Sequence, residues 1–138
     1  MTASTGGSVE LQILYCAVAL GVIQVVLATL FSVAGRGMKW GVGSRDEGWP
    51  AIGNIGARTD RAWKNFLETF PLFAAAVLVA HAMDKSTAVS VLGAQLYIWG
   101  RLLYVPLYMF GVPWLRTLAW AVAFAGILMV MAAVWPGM

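Results

Sequence analysis

Arginine, asparagine and glutamate recur at helical spacing in one stretch of an otherwise apolar chain. Arg61, Asn65 and Glu68 stand at i, i+4 and i+7, so a helix presents them on one face, with Lys64 at its edge. Tyr97, Arg101, Tyr104 and Tyr108 follow at i, i+4, i+7 and i+11, again one face, and Arg116 and Thr117 come just after Pro113. Guanidinium groups grip planar carboxylates through paired N–H donors. Four cations (Arg61, Lys64, Arg101, Arg116) stand against one carboxylate, Glu68. A closed network pairing Arg61 or Arg101 with Glu68 would balance its charges more nearly, and arginines at helix ends can instead snorkel to lipid headgroups. The cationic surplus favours a small zwitterion with surplus carboxylates. Glu68 would take its ammonium group, and Asn65 would both donate and accept.

The elements that must position these residues are membrane spans. The 138-residue chain is 61% hydrophobic and 11% charged, with mean hydropathy +0.80. Soluble domains run nearer ~45–50% apolar and ~25% charged. A spanning helix needs ~20 apolar residues, and four stretches qualify: about 11–34, 66–83, 87–110 and 113–135. The expected class is therefore all-α, a single four-helix transmembrane domain over 1–138. Short polar turns, "AMDKST" and "MFGVP", join the last three spans as antiparallel hairpins. The stretch from about 35 to 60 is glycine-rich and is expected to be irregular loop. The net charge of +3 is small and nothing in it points to nucleic acid.

Orientation follows from the basic residues. Arg36, Lys39, Arg45, Arg58, Arg61, Lys64 and Arg116 fall toward one membrane face, whereas Glu10, Asp84 and Lys85 fall toward the other. The positive-inside rule places the 35–60 loop in the cytoplasm and both termini outside. Trp40, Trp63, Trp114 and Trp135 fall near the expected span ends, as an interfacial belt requires. The single cysteine, Cys16, reads as a small hydrophobe. The single histidine, His81, has no Cys, Asp or Glu at ligand spacing, so no metal site is expected. Gln24, in mid-span, is expected to make an interhelical hydrogen bond.

The segments "RTDRAWKNFLETFPLF" and "RLLYVPLYMFGVPWLRT" resemble the MAPEG family, the membrane-associated proteins in eicosanoid and glutathione metabolism. The family's second-span pattern reads here as Arg61-Ala62, Asn65, Glu68 and Pro71. Its third-span pattern reads as Arg101, Tyr104 and Tyr108, and its fourth-span arginine as Arg116. The resemblance covers about residues 10–135. It implies a homotrimer with glutathione bound between subunits near the cytoplasmic face. It further implies that Arg61, Asn65, Glu68, Tyr104 and Tyr108 bind glutathione, that Arg101 orders the site, and that Arg116 activates the thiol with Thr117 or Tyr108 as a hydroxyl donor. Lys64 lies beside this set, and Arg36 or Lys39 stands where several members carry a first-span arginine. Trp120 replaces a tyrosine of some members. The long glycine-rich loop, with "SRDE" as a helix cap or a cover over the site, is typical of bacterial members, which implies a bacterial inner membrane.

Two functions stay open at this point. One is a glutathione transferase, with peroxidase activity as a variant, acting on lipophilic electrophiles that enter from the bilayer lipid. The other is a non-catalytic protein that binds a lipophilic ligand or a partner. A transporter or channel fits poorly, because the four short-looped spans carry no acidic pore ring and no broken-helix pair.

Overall fold

Each apolar stretch closes its own backbone hydrogen bonds as a helix, the arrangement that lipid demands of an open chain. The computed structural model describes residues 5–45 and 52–135. Five helices follow in order: α1 (Thr5–Arg36), α2 (Met38–Val42), α3 (Asn54–Ala82), α4 (Ala88–Met109) and α5 (Pro113–Val134). All but α2 are long and apolar enough to cross a membrane. No strand occurs among the described residues. Large apolar side chains such as Leu30, Leu103 and Leu118 are more than half exposed on the bundle's outside, as a lipid-facing surface requires.

The region expected as irregular loop is partly helical. After Gly37, whose φ of 94° breaks α1, the short α2 forms. Helix α3 then begins at Asn54, well before the apolar run at Phe66. Its glycines and charges hide it from a hydropathy reading. The 29-residue α3 is roughly 43 Å long at ~1.5 Å per residue, against a hydrocarbon thickness of ~30 Å. Its first turns therefore run beyond the hydrocarbon, and the charged residues from Arg58 to Lys64 occupy that excess. Asp46 and Glu47 of the "SRDE" segment lie outside the described residues.

Helices α3 and α4 form the middle of the bundle. Helix α1 packs on both from one side and α5 on both from the other, and α1 does not reach α5. Small residues set the approach. Gly93 and Gly100 of α4 face Gly126, Ala119 and Ala123 of α5, the small-residue seam that membrane helices use where no hydrophobic force draws them together. On the other side, Gly21 of α1 lies against the Phe66 ring and Gly56 of α3 against Phe31. The turn ends are fixed locally. Thr87 caps α4 in a reciprocal box with Ser90, and Pro113 opens α5, where its missing N–H is no loss. Gly111, between α4 and α5, has φ 73°, and any Cβ there would meet the Arg58 guanidinium.

The α4–α5 seam tolerates no added atom. A Cβ on Gly126 would strike the Gly93 carbonyl and the Tyr97 nitrogen, so Gly126→Ala is expected to destabilise the bundle by about 1–3 kcal/mol. Gly53→Ala, with nothing within 4 Å of its Cβ, is expected to leave the thermal midpoint in detergent unchanged.

Candidate functional site

Near the α3 start and the α4–α5 turn, a column of alternating rings and cations runs through the bundle. Arg101 of α4 is 0% exposed. Its Nη1 donates to Asn65 Oδ1 of α3 at 2.8 Å. Its Cζ lies 4.3 Å from the Tyr104 ring centroid and 5.5 Å from that of Phe66. Tyr104 meets Tyr108 edge-on at 5.5 Å. The Tyr108 ring then takes Arg116 at 4.5 Å and Arg61 at 5.9 Å. Each ring offers its negative face to a cation, worth ~0.5–2 kcal/mol per contact.

This column forms the wall of a cleft of about 280 Å³ lined by Asn65, Tyr104, Tyr108, Arg116, Thr117 and Trp120. The hydroxyls differ in what they can offer it. Tyr108 Oη accepts from Arg61 Nε at 3.1 Å, so its own proton is available to a ligand. Thr117 Oγ1 donates back to the Pro113 carbonyl at 3.0 Å, an i−4 bond common to helical Ser and Thr. In this rotamer Thr117 presents lone pairs to the cleft and not a proton. Trp120 stacks on Phe124 at 5.2 Å and closes the apolar end.

The sequence-derived residues thus divide. Asn65, Tyr104, Tyr108, Arg116 and Thr117 line one cleft. Arg61 reaches it through the Tyr108 hydroxyl, and Arg101 stands behind Asn65. Glu68 is exposed on α3 and makes no hydrogen bond or ion pair among the described residues. Lys64 pairs at 3.0 Å with Asp60, one turn back on the same helix. Arg36 lines a different crevice, between α1, α2 and α3, with Trp40 and Trp63. Tyr97 shares a helix face with Tyr104 but lies deeper. It is fully buried against Phe73 and shares a hydrogen bond with Thr69 at 3.3 Å, and so belongs to the core. Arg58, a residue outside the set expected from the sequence, packs against the turn that leads to Arg116. Only its place three residues before Arg61 hinted at this.

The closed network that would pair Arg61 or Arg101 with Glu68 is not what forms. Lys64–Asp60 is the one ion pair among the described residues. The guanidiniums around Tyr108 are held by rings and neutral oxygens, which leaves the cleft positive.

The model of the MAPEG family matches residues 13–135 of the chain. No curated protein and no solved structure matches it.

The Asn65–Arg101 bond joins α3 to α4 inside the bundle, and a hydrogen bond to a charged group is worth ~1.5–3 kcal/mol. Asn65→Ala and Arg101→Met are expected to be coupled by about that amount in a double-mutant cycle of thermal stability. Additive losses would mean the two residues act independently.

Proposed function

We propose, from the premise that this chain belongs to the MAPEG family, that the cleft binds glutathione as co-substrate and ionises its thiol for transfer to a lipophilic electrophile. The family's members are membrane proteins of eicosanoid and glutathione metabolism, and this chain is a multi-pass member of it. The observation that carries the proposal is the uncompensated positive cleft. Arg61 and Arg116 converge on Tyr108, and neither forms an ion pair with a carboxylate among the described residues. Glutathione brings two carboxylates, one ammonium and one thiol. Arg61 offers a guanidinium to a carboxylate, and Asn65, whose Oδ1 is taken by Arg101, has its Nδ2 left to donate. Tyr104 and Trp120 supply apolar walls.

The thiol is the chemical problem. A free thiol has pKa ~8.5 and only its thiolate attacks. Arg116 would lie beside the sulfur as a fixed cation. Tyr108 would donate its O–H to the same sulfur, because its oxygen already accepts from Arg61 and its proton is left for the ligand. Each unit by which the thiol pKa falls corresponds to about 1.4 kcal/mol. The thiol proton leaves to solvent. The thiolate then attacks an electrophilic carbon and expels its leaving group, or attacks the terminal oxygen of a lipid hydroperoxide. In the second case the O–O bond breaks, and the lipid leaves as alkoxide and takes up a proton to become the alcohol. The glutathione sulfenic acid so formed condenses with a second glutathione thiol to give the disulfide and water. This assigns the hydroxyl role to Tyr108 before Thr117.

The reading extends to the assembly. Arg36 lines a different crevice of its own chain, and Glu68 is exposed near Tyr104 and Arg101 without a hydrogen bond or ion pair among the described residues. A homotrimer would let a neighbouring subunit bring such residues to complete the cleft, with Glu68 taking the ammonium group. The basic 35–60 region would lie in the cytoplasm and both termini outside, as in a bacterial inner membrane. Lipophilic substrate would then enter from the bilayer beside Trp120.

With glutathione and an aryl halide as substrates, Arg116→Ala is expected to lower kcat/KM by on the order of a hundredfold. Tyr108→Phe is expected to lower it by about tenfold, whereas Thr117→Ala should retain most of the activity. Loss confined to Thr117→Ala would reverse the assignment of the hydroxyl. A protein that binds glutathione yet turns over neither electrophiles nor hydroperoxides would be a non-catalytic binder.

A further inference from the structure

Arg101 is only partly satisfied. Its Nη1 has Asn65, but Nε and Nη2 are buried without a hydrogen-bond partner among the described residues. A second residue shares the deficit. Gln24 of α1 is 2% exposed, and neither its Oε1 nor its Nε2 has a hydrogen-bond partner among the described residues. The expected interhelical bond from Gln24 does not form.

The two residues come from different helices and flank one ring. The Arg101 guanidinium lies 5.5 Å from the centre of Phe66. Helix α1 presses on the same ring at Gly21, where a Cβ would come 2.9 Å from Phe66 Cε1. Gln24 is the next inward residue on that face of α1, in the buried series Ala17, Leu20, Gly21, Gln24 and Ala28. It stands about 4.5 Å along the axis from Gly21. Helices α1 and α4 are packed against each other.

We propose that Gln24 and Arg101 form a buried site for a small inorganic monovalent anion of halide size. Donors decide the chemistry. The unmet N–H groups of Arg101 and the amide NH₂ of Gln24 face one unmet acceptor, Gln24 Oε1. A water would accept from this set but would add two further O–H donors to a place already short of acceptors. A halide accepts from several donors at once and brings none. It also supplies a counter-charge in direct contact with Arg101, which Glu68 does not, being exposed and bonded to neither residue although near enough to act on Arg101 electrostatically. An unpaired charge inside the bilayer is costly, and ionic attraction strengthens as the surroundings become less polar. The Phe66 and Tyr104 rings meet the charge of the guanidinium but do not give its N–H groups lone pairs. The close approach of α1 at Gly21 leaves no room for a large organic anion. The site lies behind Asn65, on the core side of the glutathione cleft, and does not depend on that cleft's function.

The full-length protein in detergent is melted at constant ionic strength as gluconate is exchanged for bromide. A saturable rise in Tm is expected, with an apparent Kd weakened about tenfold in Gln24→Leu by the loss of one hydrogen bond to the ion. Crystals grown in bromide should show an anomalous peak within hydrogen-bond distance of Arg101 Nε or Nη2, a readout that requires no variant to fold. A flat Tm, or density at Arg101 without anomalous signal, would overturn the proposal in favour of water. A bromide effect unchanged in Gln24→Leu and abolished by glutathione would also overturn it, placing the ion in the cleft beside Arg116.

Discussion

A guanidinium with no exposed surface, in the middle of a membrane helix, is the constraint around which this bundle is arranged. Arg101 cannot reach an aqueous interface and has no carboxylate partner among the described residues. Its charge is met by rings, Phe66 on one helix and Tyr104 on its own, and by one oxygen, Asn65 Oδ1. Those contacts fix α3 against α4, because Asn65 and Phe66 are neighbours on α3 and must both reach Arg101. They also orient Asn65, so its carbonyl is taken from behind and its amide remains for the cleft in front. The same cation–ring alternation continues outward through Tyr104 and Tyr108 to Arg61 and Arg116. A polar column thus runs from the buried interior to the membrane's edge without a buried carboxylate.

The fold places chemistry at the end of that column by simple length. Helix α3 is longer than the hydrocarbon is thick, so its first turns carry charge where headgroups and water can solvate it. The α4–α5 turn closes at the same end, with Arg58 packed against Gly111, and α5 begins with Pro113 and reaches Arg116 within its first turn. Small residues along the α4–α5 seam hold these two helices close enough that Tyr104, Tyr108 and Arg116 face one cleft. Seam, turn and column therefore act together. The seam sets the spacing, the turn sets where Arg116 starts, and the column sets which atoms of Tyr108 and Asn65 remain to be used.

Much of this was legible in the sequence. The four apolar stretches announced four spanning helices, and the order of Arg61, Asn65, Glu68, Arg101, Tyr104, Tyr108 and Arg116 announced the family, whose model matches residues 13–135. Helical spacing also put Asn65 with Arg61 on one face of its helix, and Tyr104 and Tyr108 with Arg101 on one face of theirs. What it did not carry was depth and partner. Tyr97 repeats the face of Tyr104, yet two turns deeper it is a core residue, because periodicity fixes direction and not level. Lys64 and Glu68 share the charged stretch but point outward, Lys64 to Asp60 on its own helix. The Thr117 hydroxyl turns back to Pro113, a local bond that no spacing rule separates from a hydroxyl aimed at a ligand. The early start of α3 was hidden because glycines and charges mask a helix that packs against α1 through Gly56 on Phe31, with Ile52 just ahead of it on Gly35.

The central claim is that this cleft binds glutathione and holds its sulfur as thiolate, and ultraviolet difference absorbance of the thiolate tests it most directly. Glutathione is titrated into the purified protein in detergent at neutral pH, alongside its S-methyl derivative, which cannot ionise. The account predicts a saturable thiolate band with glutathione, none with the S-methyl form, and displacement of the band when the S-methyl form is added. Saturable binding of both compounds with no thiolate band would contradict it, because the cleft would then hold the tripeptide without activating it.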